Sequence, residues 1–252
     1  MNVYAKVNFR NEYISINIAK AIRGYREMGA NIIPYHHIKE IINEITKEDI
    51  VLDYIHQTQL VFKKFNCDYE MDTYPSCFNS FYGRKIWKDY LSNVDQNDKL
   101  WPIFIKSVKD KVFTGKIIKS TKDLIGCGLN GEDVEIYCNE IVEFKAEYRM
   151  FVLYDEIQMI SFYKGDFYYT YDSKIIDEIM SAFKTWEKRP KGCSIDIGVD
   201  SKGRTLVIEV NDGYSLGAYG CFEIPYAKII SARFSQLMNV QDSFDFRHYR
   251  IL

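Results

Sequence analysis

The sequence predicts two structural parts, a small α/β unit followed by an α+β unit with a largely antiparallel sheet. In the first third of the chain, short apolar strands alternate with helical stripes, which is typical of a unit with a parallel sheet. From about residue 84 the pattern changes to short strands arranged as hairpins. The 252 residues are 47% hydrophobic, enough for one large or two modest domains with real cores. We therefore expect one domain over residues 1–83 and a second over residues 84–252, with the boundary near Gly83.

The first part is predicted to alternate strands with amphipathic helices. The first helix carries Ile18, Ile22 and Tyr25 on one face, and Gly29 provides its stop signal. The strands are expected at 3–8, 31–35 and 49–52, and the helices at 16–28, 39–45 and 57–65. This rhythm predicts a parallel sheet.

The second part is predicted to be richer in strands. Residues 154–156 are typical of a hairpin turn between two of them. The strands are expected at 102–106, 113–119, 133–137, 141–144, 148–153, 157–163, 194–199 and 205–210, and the helices at 173–186 and 225–237. Most of these strands are expected to pair antiparallel.

Composition excludes several classes of protein. The formal net charge of −2 argues against a nucleic-acid partner bound by bulk electrostatics. No apolar run approaches the ~20 residues that span a bilayer, and the polar start is not a signal peptide, so no membrane partner is expected. The six cysteines include no C-x-x-C pair, which disfavours a zinc ribbon. We expect a cytoplasmic protein with reduced thiols.

Acidic residues lie on the last two predicted strands. If a turn at 201–204 pairs Asp200 with Thr205, then Asp196 lies directly opposite Glu209, and Asn211 shares their face. The other face of the last strand is then expected to be apolar, with Leu206, Ile208 and Val210.

Two carboxylates in direct opposition repel each other on a bare sheet. A hard divalent cation removes that repulsion, and Asp, Glu and Asn oxygens are the ligands that Mg²⁺ takes in proteins. The pattern therefore favours a magnesium site at Asp196, Glu209 and Asn211. The alternative is a solvated polar face, which is common on antiparallel sheets.

These acidic residues, with three other segments in order, resemble the ATP-grasp superfamily. DIG at 196–198 and LVIEVN at 206–211 are similar to the metal-binding end of that fold. WPIFIK at 101–106 resembles the strand whose terminal lysine, here Lys106, reaches the nucleotide phosphates. IVEF at 141–144 resembles the hinge that binds adenine through its backbone, here at Glu143 and Phe144. EYRMFV at 147–152 resembles the strand whose arginine, here Arg149, faces the phosphates.

The resemblance covers roughly residues 84–240, and the first third matches the pre-ATP-grasp domain that usually precedes this fold. Residues 211–220, together with Arg233, resemble a small clade named for two arginines and one lysine. The sequence departs from the family after Lys106, where a glycine-rich loop is usual. Residues 107–116 instead carry lysines and only Gly115. The lysines in this loop are Lys109, Lys111 and Lys116, and their ammonium groups offer phosphates a replacement for backbone amides.

The resemblance implies an ATP-dependent carboxylate–amine or carboxylate–thiol ligase that acts through an acyl phosphate, with ATP and Mg²⁺ as cofactors. Its partners would be a carboxylate substrate and an amine acceptor, either a small molecule or a peptide. Arg149 and Lys106 are the implied catalytic residues. The implied nucleotide-binding residues are Lys85, Lys106, Glu143, Phe144, Arg149 and Lys164, and the implied metal ligands are Asp196, Glu209 and Asn211.

Several alternatives stay open at this point. Arg84 can replace Lys85, Lys164 can be a turn residue, and the role of Asp212 is not defined by the pattern. Taken alone, Lys106 can be a solvated lysine, and Arg149 can pair with Glu147 or Asp155. At the level of function, the alternatives are a non-catalytic nucleotide-binding module and an ATP-dependent phosphotransferase on the same fold.

Overall fold

Three sheets organise the part of the chain that the computed structural model describes, residues 1–67, 71–109, 112–128 and 133–248. One sheet is parallel and has three strands, and the other two are antiparallel with four strands each. No helix in these ranges combines the length and the apolar character that crossing a membrane requires.

The parallel sheet contains the first three strands, in the order β2-β1-β3. The strands are β1 (Asn2–Lys6), β2 (Asn31–Tyr35) and β3 (Ile50–Leu52), and the helices are α1 (Ile16–Glu27), α2 (Ile38–Ile41) and α3 (Ile55–Lys64). Ser15 caps α1 by accepting a hydrogen bond from the amide of Ile18. The predicted strand–helix rhythm is confirmed, although α2 is shorter than the predicted helix.

The first antiparallel sheet has its own small core. Its strands are β4 (Ile86–Tyr90), β5 (Ile103–Ser107), β6 (Lys116–Ile118) and β7 (Glu135–Asn139), in the order β4-β7-β5-β6, and α4 (Leu91–Gln96) follows β4. Ile105, Ile118 and Ile136 are buried together in that core. The sequence did not predict β4, because every one of its side chains is at least partly exposed and the strand lacks a clear apolar alternation.

The second antiparallel sheet has the order β11-β10-β8-β9. Its strands are β8 (Phe144–Leu153), β9 (Glu156–Gly165), β10 (Gly192–Asp200) and β11 (Thr205–Asp212). One face packs on α5 (Ser173–Thr185), whose Ile179 and Phe183 are fully buried. The predicted strand at 141–144 is wrong, because residues 141–143 form the irregular connection between β7 and β8.

The pairing of β10 with β11 differs from the prediction at the turn. Val199, and not Asp200, pairs with Thr205. A β-bulge then shifts the register by one residue, so Asp196 still lies opposite Glu209, as predicted.

The bulge also changes which side chains of β11 face the core. Its extra residue is Ile208, which lies between the paired positions 207 and 209. Val207 and Val210 are therefore both buried against the α5 side of the sheet. The predicted apolar face of Leu206, Ile208 and Val210 is wrong, because one inserted residue reverses the alternation on its far side.

The last helix, α6 (Glu223–Met238), connects the first part of the chain to the second. It packs along α1, and the two helices belong to one core that also contains Phe151 and Leu153 of β8. The helices approach so closely at Gly24 that a Cβ atom there would lie 2.2 Å from the carbonyl oxygen of Glu223. Glycine is required at this contact.

Candidate functional site

Arg149 and Asp196 form a buried ion pair on the face of the second antiparallel sheet that lies opposite α5. They are cross-strand neighbours on β8 and β10. The Arg149 Nε and Nη2 atoms each donate to a different carboxylate oxygen of Asp196, both at 2.7 Å. The two side chains are 8% and 4% exposed. Burial raises the pKa of Asp196 to about 6, while the hydrogen bonds from Arg149 favour its ionised form.

This pairing settles the alternatives for Arg149. The sequence left open an ion pair with Glu147 or Asp155. In the structure the Nε and Nη2 atoms of the guanidinium both bind Asp196 instead. Such a bidentate geometry fixes the guanidinium more firmly than a single contact would.

Glu209 and Asn211 lie beside this pair on β11. The Asn211 Nδ2 atom donates to an oxygen of Asp196 at 3.1 Å. Lys106, at the end of β5 in the other antiparallel sheet, brings its Nζ atom within 2.7 Å of Glu209. The Lys106 and Glu209 side chains are only 26% and 21% exposed, so this is not a solvated polar face. The two antiparallel sheets meet here, and the five residues predicted at the chemical centre converge between them.

The donor atoms of this cluster fit a small hard cation. Asp196, Glu209 and Asn211 supply two carboxylates and one amide, and Mg²⁺ takes few protein ligands of this type alongside phosphate and water oxygens. In the described ranges no three His, Cys, Asp or Glu side chains form a metal-ligand group, so the third protein ligand would have to be the Asn211 amide. In this structure Arg149 and Lys106 offset the charge of the two carboxylates.

A loop after β11 covers the guanidinium of Arg149. The ring centroid of Tyr219 lies 4.3 Å from the guanidinium carbon, and the carbonyl oxygen of Gly217 accepts a hydrogen bond from Nη1 at 3.3 Å. The amide of Ala218 donates to the Asn17 side chain at the start of α1. Sequence reasoning did not identify Tyr219 as a neighbour of Arg149. The one sequence feature that could have indicated this contact is the glycine-containing loop directly after the strand that carries Glu209.

Arg84 and Lys85, which the sequence could not separate, occupy different environments. The Arg84 guanidinium donates to the carbonyl oxygens of Val207 (2.9 Å) and Ile208 (2.7 Å), and so holds the bulge of β11. The Lys85 ammonium lies over the ring of Trp87, 5.1 Å from its centroid. Arg84 thus supports the strand that carries Glu209, whereas no described contact brings Lys85 to the cluster.

Residues 140–143 line a cavity of about 240 Å³ between the two antiparallel sheets. Arg84 and residues of the turn at 200–204 form its other walls. The Glu143 side chain is 73% exposed and pairs with Lys145. The adjacent Phe144 packs against Gly198, where a Cβ atom would lie 2.3 Å from the phenyl ring.

Lys164 lies on the same sheet, outside the central cluster. It is opposite Glu147 in the pairing of β8 with β9, and its ammonium contacts the Glu147 carboxylate. Its side chain is 68% exposed. Of the lysines predicted in the 107–116 loop, Lys116 donates to the carbonyl oxygen of Ile125. Lys111 lies outside the described residues.

Asp212 forms a second buried ion pair, with Arg233 of α6. Arg233 donates through Nε and Nη2 to the two carboxylate oxygens, at 2.7 and 2.8 Å. The two side chains are 6% and 1% exposed. This contact secures the end of β11 directly after Asn211. A lone arginine between Ala232 and Phe234 in an apolar helix was the sequence signal for a buried partner.

Comparison with known proteins decides the family. The family model for the ATP-grasp domain of the clade named for two arginines and one lysine, family 2, matches residues 81–229, more than half of the chain. The chain belongs to the ATP-grasp superfamily, in this two-arginine, one-lysine clade. The matched segment contains all five converging residues and ends just before Arg233. A search of curated protein sequences found no match.

Solved structures agree on the ATP-grasp fold. D-alanine–D-alanine ligase from Bacillus anthracis, complexed with ATP, superposes with a TM-score of 0.55 at 14% identity, covering 94% of this chain and 96% of its own. N5-carboxyaminoimidazole synthase from Aspergillus clavatus gives 0.54 at 8% identity, over 95% and 77% of the two chains. N5-carboxyaminoimidazole ribonucleotide synthetase from Thermotoga maritima gives 0.50 at 16% identity, over 95% and 76%. At these identities the likeness shows the fold alone.

Proposed function

We propose that this ATP-grasp protein is an ATP-dependent carboxylate–amine ligase. The observation that carries the proposal is the meeting of Lys106 and Arg149, from two different sheets, at a pair of opposed carboxylates. Cations held in a partly dry cleft are suited to stabilise charge that moves between phosphate oxygens.

The reaction would proceed in two displacements. A substrate carboxylate would attack the γ-phosphate of ATP, forming an acyl phosphate and releasing ADP. An amine would then attack the acyl carbon, forming an amide and releasing phosphate and a proton. No nucleophilic side chain is needed, because both nucleophiles belong to substrates.

Each residue of the cluster has a defined role in this proposal. Lys106 and Arg149 would exchange their contacts with Glu209 and Asp196 for phosphate oxygens, and would then bind the transferred phosphoryl group and neutralise its charge. Asp196, Glu209 and Asn211 would hold Mg²⁺, which when bound neutralises phosphate oxygens.

The hinge cavity is the proposed adenine pocket. Glu143 on its wall offers backbone groups for hydrogen bonds, and the neighbouring Phe144 offers an aromatic ring for packing. Arg84 would support this pocket and the bulge of β11 together, in preference to Lys85. Lys164 would reach the nucleotide only after leaving Glu147.

ADP release measured with Mg²⁺-ATP and a panel of carboxylates and amines tests the proposal. We expect release that depends on an acceptor, with an amide product detected by mass spectrometry. Glu209→Gln and Asp196→Asn should each lower turnover about 100-fold or more, because each removes a carboxylate charge that would hold the Mg²⁺ needed to neutralise the phosphates. Circular dichroism should show an intact fold.

The matched control is Glu178→Gln, which removes one exposed carboxylate from α5 and should leave turnover unchanged. Unchanged turnover in Glu209→Gln and Asp196→Asn would remove the metal assignment. A stable phosphorylated product would indicate a phosphotransferase. Nucleotide binding without ADP release under any condition would indicate a binding module.

A further inference from the structure

A cleft of about 580 Å³ opens at the carboxyl edge of the parallel sheet, outside the site described above. Lys6, which ends β1, lines it together with residues that follow β2 and β3, including Lys39 and Asp53. Because the chain passes from β1 to β2 on one side and returns to place β3 on the other, the edge beside β1 is a topological switch point. Ligands of open α/β sheets bind at such points.

Basic groups dominate the polar lining of this cleft. Lys6 and Lys39 carry positive charge, and two imidazoles, His37 and His56, lie on its walls. None of the ion pairs found in the described residues includes Lys6 or Lys39. No sequence pattern associates His37 with His56, which are 19 positions apart and line the same cleft because β2 and β3 end at the same edge.

The acidic groups near this cleft accept hydrogen bonds from neutral donors and form no ion pair in the described residues. One carboxylate oxygen of Asp53 accepts a hydrogen bond from the Tyr35 hydroxyl at 2.6 Å, and the other accepts from the amide of Tyr54, also at 2.6 Å. The neighbouring Glu40 carboxylate accepts from the amide of His36. Neither carboxylate forms an ion pair with Lys6 or Lys39 among the described residues, and the Lys6 ammonium contacts only the Tyr35 ring, 6.0 Å from its centroid. The two ammonium groups therefore reach the cleft without a directly bound counter-charge.

We propose that this cleft binds the anionic group of a substrate, a carboxylate or a phosphate that is not the group activated by ATP. The inference rests on the proposed ligase function and names the class of substrate for it. A volume of several hundred Å³ suits a small molecule or the end of a peptide. Lys6 and Lys39 supply charge, and the imidazoles supply hydrogen-bond donors.

The same edge of the parallel sheet contacts the loop that covers Arg149. α1 begins at this edge, and Asn17 in its first turn accepts a hydrogen bond from Ala218 at 3.0 Å. The adjacent Gly217 accepts from Arg149. A substrate anchored in the cleft by one anionic group would thus have its reactive end on the side of the sheet that faces the ATP-grasp site.

Titration of the nucleotide-free protein with glutarate and, separately, with inorganic phosphate tests this assignment. Calorimetry gives the affinity, and the imidazole signals of His37 and His56 in an NMR spectrum locate the binding. We expect saturable binding of at least one anion, with both signals shifting, and an affinity reduced about tenfold or more in the Lys6→Gln/Lys39→Gln variant. The tighter probe assigns the group as carboxylate or phosphate.

The matched control is Lys174→Gln/Lys184→Gln, which removes two exposed positive charges from α5 and should keep the wild-type affinity. Equal affinity in the Lys6/Lys39 variant and the wild type would overturn the proposal. So would unshifted histidine signals, or equally tight binding of the neutral analogue glutaramide. Because no nucleotide is present, failure of the ligase proposal leaves this result unaffected. Failure of the cleft proposal would equally leave acceptor-dependent ADP release in place.

Discussion

Gly198 leaves the space that the Phe144 ring fills beside the proposed adenine pocket. It lies on the same face of β10 as Asp196, and the Phe144 ring occupies the space that a side chain would take. Gly198, against which the Phe144 ring packs, is thus only two positions from Asp196 on β10. Sequence reasoning identified Gly198 as part of a motif but did not indicate its contact with Phe144.

Gly198→Ala is therefore expected to weaken ATP binding. The added Cβ would lie 2.3 Å from the Phe144 ring, so the ring must move. Overpacking of this kind costs about 1–3 kcal/mol of folding free energy. Calorimetric titration with ATP and chemical denaturation measure the two effects. Gly128→Ala, where a Cβ meets no atom within 4 Å, is the control, and equal ATP affinity in both variants would contradict the assignment.

The bulge of β11 is the element that sets the acidic cluster. It allows Val207 and Val210 both to face the core, while Glu209 stays opposite Asp196. The sequence predicted the two strands from alternation, and the opposed carboxylates from an assumed pairing of Asp200 with Thr205. That pairing is off by one residue, and the bulge compensates for the error. The sequence could not predict the bulge, because the residue that holds it, Arg84, is more than 120 positions away.

Arg84→Lys is expected to loosen this bulge. The guanidinium binds the carbonyl oxygens of Tyr82, Val207 and Ile208, and a single ammonium cannot reproduce that planar fork. Leaving a partly buried carbonyl without its donor costs about 1–3 kcal/mol. We expect a lower midpoint in chemical denaturation and lower turnover. Lys85→Arg serves as the matched control at an exposed neighbour, and an Arg84→Lys variant that matches the wild type in both measurements would refute this role.

The hairpin between β8 and β9 contains an ion pair whose contribution to stability is expected to depend on pH. Tyr154 and Asp155 both have positive φ, at 50° and 67°, as a two-residue type I′ turn requires. Hydrogen bonds from Arg189 lower the pKa of Asp155. The stability that this pair contributes is complete above the ordinary pKa of an aspartate and is lost as pH falls through the lowered value.

Asp155→Asn should remove this contribution and leave the turn intact, because asparagine also accepts positive φ. At neutral pH we expect the free energy of unfolding to fall by about 1 kcal/mol or less, as for other half-exposed ion pairs. The difference from the wild type should shrink as the pH is lowered below about 4. Denaturation curves at several pH values check this, and a difference that grows in acid would show the opposite sign.

At the scale of the whole molecule, the first part of the chain is packed on the second through a common core. Residues from the parallel sheet, from α1 and from α6 belong to one buried cluster. The domain boundary near Gly83 stays a prediction. Because the two parts share one core, we do not expect either part to fold independently of the other.

A fragment of residues 84–252 is therefore expected to fold poorly by itself. It would expose α6 side chains that are now buried in the common core, including Ala227 beside Gly24 of α1 and Phe234 against Phe62 of α3. We expect aggregation or a broad thermal transition in the isolated fragment, and recovery of a cooperative transition when residues 1–83 are co-expressed. A monomeric fragment with a sharp transition would show that the second part folds alone.

The sequence predicted the layout of the molecule better than its long-range contacts. The strand–helix rhythm of the first part and the position of Lys106 at a strand end were visible as local patterns. The Arg149–Asp196 and Arg233–Asp212 pairs were not, because each joins residues whose proximity depends on strand order or helix packing. Partly exposed elements such as β4 were missed because they carry little periodic signal.

The sheet that carries Lys106 has one further property. The chain enters it at Ile86 and leaves it at Asn139, and these two residues are paired neighbours. The two chain connections of this sheet to the rest of the molecule are therefore adjacent, which is the arrangement of a hinge. If this sheet rotates about that hinge, residues 140–143 move least. Lys106, which is farther from the hinge, moves more. An adenine bound beside residues 140–143 would therefore keep its position while Lys106 moves toward or away from the phosphates.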